Sequence, residues 1–342
     1  MTVRQHTFAV IGGPAVEAAL AGREAQVVDV VERTYLAHGQ GRTVNPPSHF
    51  LRFPDRPDSR IIALPASIGG DGNHAGVDGL KWIASFPGNL TNGLPRASAV
   101  LILNDPNDGH PFACLEASII SATRTAASAA LAADHLTRAR VRPRSVGFYG
   151  AGLIARHIHR YLVATGFAFD TVGVFDAVPE RAEDFARSAE RNGLGPVRPV
   201  VDGQELVGGH DLVVFATTAA RPHIHDPSWF SHHPVVLHVS LRDLAVEVLL
   251  GATNIVDDVD HCLRAGTSPH LTEQATGNRD FVHGTLYDVL TGQRTVPADQ
   301  TVVFSPFGLG VLDLAVGRYV CAASGGSALV VGDFFPDPGR DD

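Results

Sequence analysis

The sequence contains 27 lysine and arginine residues together, and Lys81 is the only lysine among them. It lies in the stretch "GVDGLKWIASFPGN". Lysine differs from arginine because its amine can lose a proton when it is desolvated, whereas a guanidinium stays charged. The lone lysine is therefore either an ordinary surface residue or an amine that the chemistry of the protein requires. We favour the second interpretation.

Two arginines share the kind of surroundings that Lys81 has. Arg52 in "HFLRF" and Arg124 in "SATRTAAS" both lie among apolar or small residues. A cation in such a position needs a counter-ion, which is either an internal carboxylate or the carboxylate of a bound substrate. Both alternatives stay open for the two arginines. If a substrate supplies the charge, Arg52, Lys81 and Arg124 form its anion-binding site.

A second group of residues has the spacing of a dinucleotide-binding loop. In "GFYGAGLIARH", Gly150, Gly152 and Ala155 follow an apolar strand and open a helix. The first glycine permits a tight turn, the second lets the backbone approach a pyrophosphate, and the small third residue lets helix and strand pack closely. Asp176 ends the next strand, where a carboxylate binds both ribose hydroxyls and repels a 2′-phosphate. The pattern predicts NAD in preference to NADP.

We expect the cofactor to contact this loop and the end of a later strand. The loop residues concerned are Gly150, Ala151, Gly152, Leu153 and Ile154. Thr217 and Thr218 in "FATTAARP" lie at the carboxyl end of a strand, where ligands of doubly wound sheets bind. For these two threonines, simple termination of the strand is an equally good interpretation.

Composition argues against several other classes of protein. A content of 44% hydrophobic and 18% charged residues is typical of an ordinary soluble globular protein. A net charge of -9 with no block of basic residues disfavours nucleic acid as a partner. The 17 histidines lack an HExxH arrangement or a cysteine at zinc spacing, so no metal site is predicted. Without a secretory signal or a long apolar run, we expect a cytoplasmic protein that acts on small molecules and not on a membrane.

The order of elements changes along the chain. Residues 14–42 are predicted to be a helix, four short apolar strands follow, and a second helix covers 115–136, which together indicate an antiparallel or mixed sheet with helices. From residue 142 onwards strands alternate with helices, which predicts a doubly wound parallel sheet. A last helix covers 308–323, and the terminal "FFPDPGRDD" is expected to be a frayed tail.

These stretches together resemble the ornithine cyclodeaminase and mu-crystallin family over nearly the whole chain. The resemblance rests on "LKWIASFPGN", "SATRTAASAALAA", "GFYGAGLIARH" and the C-terminal "FSPFGLGVLDLA". Within the family, the chain is most similar to the dehydrogenases of 2,3-diaminopropionate biosynthesis. The resemblance implies oxidation of N-(1-amino-1-carboxy-2-ethyl)-glutamate with NAD+ and hydrolysis of the product imine to 2-oxoglutarate and L-2,3-diaminopropionate.

The family resemblance also implies an α/β architecture. A Rossmann-type doubly wound parallel sheet, residues 126–305, is expected between the two halves of a mixed α+β substrate and dimerisation domain, residues 1–125 plus 306–342. A homodimer is implied, with Lys81 and Arg124 at the substrate and Thr125 near the cofactor phosphates. A pyridoxal-phosphate (PLP)-dependent synthase that supplies the substrate, and a place in siderophore or peptide natural product biosynthesis, are implied as well.

Two departures from the family pattern bear on the substrate. The cyclodeaminases carry an arginine directly after a proline-rich strand start, whereas "NPPSHFLRF" has Ser48 there and Arg52 four residues later on the same strand face. The segment "HVSLRDLAVEV" replaces the one with the family's aspartate, so either Asp243 is catalytic or Arg242 contacts the substrate. Lys81 and Asp243 are the candidate bases. Both departures disfavour ornithine cyclisation and suit a larger substrate with extra carboxylates.

Alternatives remain open at this point. The protein could be an ornithine cyclodeaminase or another amino-acid dehydrogenase of the same family. It could also be a non-catalytic protein that binds NAD(P)H and a small ligand.

Overall fold

The computed structural model describes residues 7–70, 72 and 75–336. The chain forms two compact units, one of Met1–Arg124 with Leu309–Asp342 and one of Thr125–Gly308. We call them the split unit and the central unit. The boundaries predicted from the sequence, after residues 125 and 305, lie one residue and three residues from these. No helix in the described part of the chain is both long enough and apolar enough to cross a membrane.

The split unit contains an eight-stranded mixed sheet. Its strands are β1 (Phe8–Ile11), β2 (Thr43–Val44), β3 (His49–Phe53), β4 (Arg56–Ile68), β5 (Val77–Ser85), β6 (Ala97–Asn104), β7 (Pro111–Glu116) and β16 (Leu329–Val331). Its helices are α1 (Gly13–Leu20), α2 (Glu24–Gly39), the first part of α3 (Ser118–Leu136) and α11 (Gly310–Ala323). The strand order is β16-β1-β7-β6-β5-β4-β2, with β3 also paired to β4. Only the pair of β1 and β7 is parallel, so the prediction of a mixed sheet is confirmed.

Two predictions at the chain ends are wrong. The helix predicted over 14–42 is two helices, because Gly22 interrupts the run and glycine disfavours a helix interior by about 1 kcal/mol relative to alanine. The tail is not frayed up to Pro336, since β16 pairs with β1 and the Phe334 ring stacks on Phe8 with 4.2 Å between centroids. The last six letters of the predicted tail, residues 337–342, lie outside the described residues.

The two faces of the split-unit sheet differ in how much of their surface is buried. On one face α11 packs against β4, β5 and β6, and the side chains there are buried. On the other face the cross-strand partners Trp82 and Val100 are 40% and 41% exposed. The register places further exposed apolar side chains on that same face, and we call the set the open face: Val10, Leu51, Trp82, Val100 and Leu329.

A glycine sets how closely α11 approaches the sheet. A Cβ at Gly79 of β5 would lie 2.7 Å from Leu314 Cδ2 and would also overlap the Ile102 carbonyl oxygen. Residues two apart in a strand share a face, so position 79 points the same way as Lys81. The close approach therefore brings the first turn of α11 to Lys81.

The central unit contains an eight-stranded sheet in which every pairing is parallel. Its strands are β8 (Ser145–Tyr149), β9 (Thr171–Phe175), β10 (Arg198–Pro199), β11 (Leu212–Phe215), β12 (Val235–His238), β13 (Thr253–Val256), β14 (Val282–Thr285) and β15 (Val302–Ser305). Its helices, after the rest of α3, are α4 (Leu153–Ala164), α5 (Pro179–Arg191), α6 (Gly203–Gly208), α7 (Val246–Leu250), α8 (Val259–Cys262), α9 (Ser268–Thr276) and α10 (Leu286–Leu290). The order β10-β9-β8-β11-β12-β15-β13-β14 reverses between β8 and β11. This is a doubly wound sheet, as predicted, and such sheets bind ligands at the point of reversal.

Candidate active site

Lys81 lies in the middle of β5 and is only 2% exposed. Its Nζ donates to Asp313 Oδ2 at 2.6 Å and to Ser121 Oγ at 3.2 Å. Arg124 Nε donates to the other oxygen of the same carboxylate, Asp313 Oδ1, at 3.2 Å. Ser121 and Arg124 share one face of α3 because they are three residues apart. We call these four residues the lysine cluster.

The lysine cluster carries more positive than negative charge. Lys81 and Arg124 share the single carboxylate of Asp313, which is 0% exposed. Burial lowers the pKa of Lys81 from 10.5 to about 8, and the charge of Arg124 lowers it too, while Asp313 opposes the change. An uncompensated positive charge in a buried position favours the binding of an anion. The cluster is therefore suited to hold a carboxylate.

The predicted set of three substrate-binding cations is only partly assembled. Lys81 and Arg124 meet through Asp313, a residue that was not among the predicted site residues although it lies in "FSPFGLGVLDLA". Arg52 is exposed on β3, with its guanidinium 5.2 Å from the centroid of the Phe50 ring. It does not join the cluster because β4 lies between β3 and β5 in the sheet.

In the central unit, the glycine loop has the conformation that the motif predicts. Gly150 has a φ of +103°, and a Cβ there would lie 2.6 Å from the Ala216 carbonyl oxygen. This residue thus permits the turn between β8 and α4 beside the end of β11. Gly152 is the N-cap of α4, and no atom lies within 4 Å of where its Cβ would stand. The backbone at the positive end of α4 is open to a phosphate.

Asp176 lies directly against this loop. Its Oδ2 accepts a hydrogen bond from Ala151 N at 2.9 Å, and its Oδ1 accepts one from Val178 N at 3.0 Å. A carboxylate beside the loop, an open glycine backbone and a helix N-terminus are the groups that bind the ribose and pyrophosphate of a dinucleotide. The residues present therefore fit NAD.

The remaining predicted cofactor residues occupy different positions in the central unit. Leu153 and Ile154 form the first turn of α4, and Thr125 lies in α3. Thr217 and Thr218 follow β11, beside the point where the strand order reverses. Thr218 is exposed and free to contact a ligand, whereas Thr217 Oγ1 donates to Asp243 Oδ1 at 2.5 Å.

Asp243 is a fully buried carboxylate whose oxygens are already occupied by donors. It accepts hydrogen bonds from Thr217 Oγ1, from Ser240 Oγ and from His223 Nε2, the last at 3.1 Å. His238 Nε2 lies 3.4 Å from Asp243 Oδ2. Burial raises the pKa of Asp243, but His223, the adjacent His238 and Ser240 outweigh it and hold that pKa well below its usual range. Such a carboxylate is a weak base, so the geometry argues against the predicted catalytic role.

Arg242 and the histidine-rich segment also have structural partners. Arg242 Nη2 donates to the Ala265 carbonyl oxygen at 2.8 Å within the central unit. His223 and His238 belong to the histidine-rich segment 221–238, and both lie against Asp243. Their spacing in the sequence gives no sign of this pairing with a carboxylate. Among the described residues, no group of three or more histidines, cysteines and acidic residues could hold a metal ion.

Comparison with known proteins identifies the family. Residues 15–326 match the model of the ornithine cyclodeaminase/mu-crystallin family. The chain belongs to this family. It is 29% identical over 318 residues to N-((2S)-2-amino-2-carboxyethyl)-L-glutamate dehydrogenase of Staphylococcus aureus (strain NCTC 8325 / PS 47), an alignment that covers 87% of this chain and 90% of that protein.

Solved structures agree with this family assignment. An archaeal alanine dehydrogenase dimer with bound NAD has a TM-score of 0.84 and 25% identity, and the match covers 96% of this chain and 100% of that one. The Thermococcus litoralis Δ1-pyrroline-2-carboxylate reductase, in complex with NADH and L-proline, also has a TM-score of 0.84 and covers 93% of this chain and 97% of that one. At 22% identity it shows the fold alone. The predicted family and fold are confirmed, and this family member is an NAD-dependent oxidoreductase of the type that acts on C–N bonds.

Proposed function

We propose that this protein oxidises N-((2S)-2-amino-2-carboxyethyl)-L-glutamate with NAD+ and releases 2-oxoglutarate and L-2,3-diaminopropionate. The observation that carries the proposal is the buried lysine cluster, in which Lys81 and Arg124 share one carboxylate. The similarity to the Staphylococcus aureus dehydrogenase supports the choice of substrate. The secondary amine loses a hydride from its glutamyl Cα and a proton from nitrogen. Water then adds to the imine carbon and the C–N bond breaks, which gives the ketone and the primary amine.

The lysine cluster binds one carboxylate of the substrate in this proposal. The bound anion supplies the negative charge that Asp313 alone does not provide for Lys81 and Arg124. Arg124 presents a planar guanidinium that can donate to a carboxylate in a fixed geometry. Binding the carboxylate at a buried cluster also fixes the orientation of the atoms next to it.

Lys81 handles the proton of the substrate nitrogen. The amine must be neutral before its lone pair can assist the loss of the hydride. With a pKa of about 8, Lys81 is partly neutral near that pH, and its neutral Nζ can accept a proton. Arginine could not do this, because a guanidinium stays charged. This role explains why position 81 is a lysine in a chain where the other 26 of the 27 lysine or arginine positions are all arginine.

The central unit holds the dinucleotide. Gly152 and the first turn of α4 offer backbone N–H groups to the pyrophosphate, and Asp176 accepts hydrogen bonds from the adenosine ribose. NAD+, when bound, accepts the hydride. Asp243 acts in this proposal as a positioning residue, which fixes Thr217 and His223 at the carboxyl end of the sheet.

The open face of the split unit supports the proposal of a homodimer. Monomeric proteins rarely expose a broad apolar surface, and such a surface marks an interaction site. The open face is a regular sheet surface with Trp82 and Val100 at its centre, so a second copy can pack against it through the same residues. The archaeal alanine dehydrogenase of similar structure is a dimer.

The chemistry of the proposed substrate indicates what must supply it. Its C–N bond joins the amino group of glutamate to the Cβ of a three-carbon amino acid. Replacement at the Cβ of an amino acid is chemistry that pyridoxal phosphate provides. We therefore propose a PLP-dependent synthase as the functional partner, in a pathway of secondary metabolism that consumes 2,3-diaminopropionate.

The direct test is formation of NADH when the protein is mixed with NAD+ and N-((2S)-2-amino-2-carboxyethyl)-L-glutamate. Glutamate, alanine and ornithine serve as parallel substrates, and mass spectrometry identifies the products. NADH together with 2-oxoglutarate and 2,3-diaminopropionate is expected from the first substrate alone. Turnover of alanine or ornithine in its place would overturn the proposed substrate, and NAD binding without any turnover would overturn the proposed reaction.

A further inference from the structure

A second group of cations lies on the sheet of the split unit. Cross-strand pairing places Arg52 of β3 opposite Arg60 of β4, and Arg60 opposite Ser85 of β5. Arg96, just before β6, donates from Nη1 to Ser85 Oγ at 2.8 Å. Directly opposed residues of antiparallel strands point to the same face. Arg60 and Arg96 therefore meet around the hydroxyl of Ser85, with Arg52 beside them.

These arginines have no negative partner in the part of the chain that the structure describes. Arg60 makes no ion pair or side-chain hydrogen bond there, and Arg96 has only the neutral Ser85 hydroxyl. Both side chains are half-buried. Burial lowers the pKa of Arg60, and the charge of Arg52 lowers it further; burial and the charge of Arg60 do the same to the pKa of Arg96. The group repels itself unless an anion binds to it.

The position of this group relates it to the lysine cluster. Ser85 and Lys81 are four residues apart on β5, so they share a face of the sheet. Their Cα atoms are separated by about 13 Å, at roughly 3.3 Å per residue. Lysine and arginine side chains are long, so their charged ends can lie closer together than their Cα atoms when both reach the same bound molecule. The two cationic groups can therefore bind two ends of one small substrate.

We propose that Arg60, Arg96 and Ser85 form a second carboxylate site, which selects substrates that carry an additional carboxylate beyond the one held by the lysine cluster. This inference rests on the proposed function and deepens it, because it assigns the residues that distinguish a dicarboxylic substrate from a simple amino acid. Two guanidinium groups and a hydroxyl match a carboxylate, since planar forks donate to its two oxygens. Arg52 adds positive charge at the exposed side of the site.

A binding experiment tests this site without the need for turnover. Calorimetry measures the Kd of 2-oxoglutarate, which has two carboxylates, and of pyruvate, which has one, for the full chain in the presence of NADH. The wild-type protein is expected to bind 2-oxoglutarate at least about 10-fold more tightly, because its second carboxylate accepts charge-assisted hydrogen bonds from Arg60 and Arg96. Arg60→Gln and Arg96→Gln are each expected to remove most of this preference and to leave the Kd of pyruvate unchanged.

Control variants separate the specific effect from a general one. Arg33→Gln removes an exposed arginine of α2 in the same unit and should leave the preference intact. Arg60→Lys keeps the charge and should keep part of the preference. Thermal unfolding of each variant confirms that the fold is retained. An equal preference in Arg60→Gln, Arg96→Gln and wild type, or no preference in wild type, would overturn the site.

The same variants distinguish this inference from the proposed function. If the wild-type protein turns over N-((2S)-2-amino-2-carboxyethyl)-L-glutamate, Arg96→Gln should raise KM at least about 10-fold with a smaller change in kcat. Turnover with an unchanged KM would overturn the second site and leave the proposed reaction standing. A different outcome is a protein that prefers 2-oxoglutarate in a way that depends on Arg60 and Arg96 and yet fails to turn over N-((2S)-2-amino-2-carboxyethyl)-L-glutamate. That result would support the second carboxylate site and overturn the proposed reaction.

Discussion

Replacement of Lys81 by methionine should separate stability from activity. Lys81 is a buried cation that shares the Asp313 carboxylate with Arg124. Lys81→Met removes the charge and keeps a long apolar side chain of similar volume. Asp313 retains Arg124 as its partner, so no carboxylate is left alone. We expect the variant to lose turnover, to bind NAD as wild type does, and to be no less stable than wild type at pH 7.

The size of the effect follows from the pKa of Lys81, which falls from 10.5 to about 8 on folding. The unfolded chain therefore binds the lysine proton more tightly than the folded chain does between these two pH values. Stability rises with pH wherever the unfolded state binds more protons. At about 1.36 kcal/mol per pH unit, the free energy of unfolding of wild type should gain about 3 kcal/mol between pH 8 and pH 10.5. Lys81→Met should lack this gain.

Urea unfolding at pH 7 and at pH 10 measures the difference. The chain has two tryptophans, of which Trp82 lies in the split unit and Trp229 in the central unit. Trp229→Phe in both proteins makes the fluorescence report on the split unit alone. The comparison with wild type cancels the titration of cysteines and tyrosines. Equal pH dependence in the two proteins, or a loss of several kcal/mol at pH 7 in Lys81→Met, would refute the reasoning.

Three further predictions concern the loop, the cofactor and the dimer. Gly150→Ala should abolish tight NADH binding in a fluorescence titration, because its φ is +103° and its Cβ would overlap backbone, whereas Gly88→Ala, in open space, should bind normally. Asp176→Ser should raise the ratio of kcat/KM for NADP+ to that for NAD+ by at least about 10-fold, because it removes the repulsion of the 2′-phosphate; an unchanged ratio would contradict the assignment. Val100→Asp should yield a monomer in light scattering, while Val141→Asp, at a site 90% exposed, should leave the dimer intact. If the Val100→Asp protein is still a dimer, the open face is not the dimer interface.

The sequence was sufficient to predict the architecture and the cofactor loop because these depend on local patterns. The spacing of Gly150 and Gly152 after an apolar strand is a local pattern, and it predicts the tight turn into a helix even though the close contact with Ala216 cannot be seen in the sequence. The alternation of strands and helices after residue 142 likewise predicts the parallel sheet. The strand β7, in "PFACLE", was not predicted because its six residues contain no turn signal that separates it from the helix that follows.

The composition of the site depended on contacts that no local pattern contains. Asp313 pairs with Lys81 across 232 positions of sequence, so the pair exists only after α11 packs on β5. Arg52 fits the cationic pattern, but the strand order, which the sequence does not specify, places β4 between it and Lys81. Asp243 was expected to act as a base from its position in "HVSLRDLAVEV", and that position does not show that His223, 20 residues earlier, bonds to its carboxylate.

The solitary lysine has a practical consequence for spectroscopy. Growth with lysine enriched in 15N at Nζ introduces one labelled side-chain amine into the whole molecule, because Lys81 is the only lysine. The nitrogen chemical shift of that amine changes on protonation, so a single resonance reads the charge state of the group directly. Burial slows the exchange of its protons with solvent. Titration of that resonance with and without a carboxylate ligand would report every change of charge at this position in an otherwise unmodified protein.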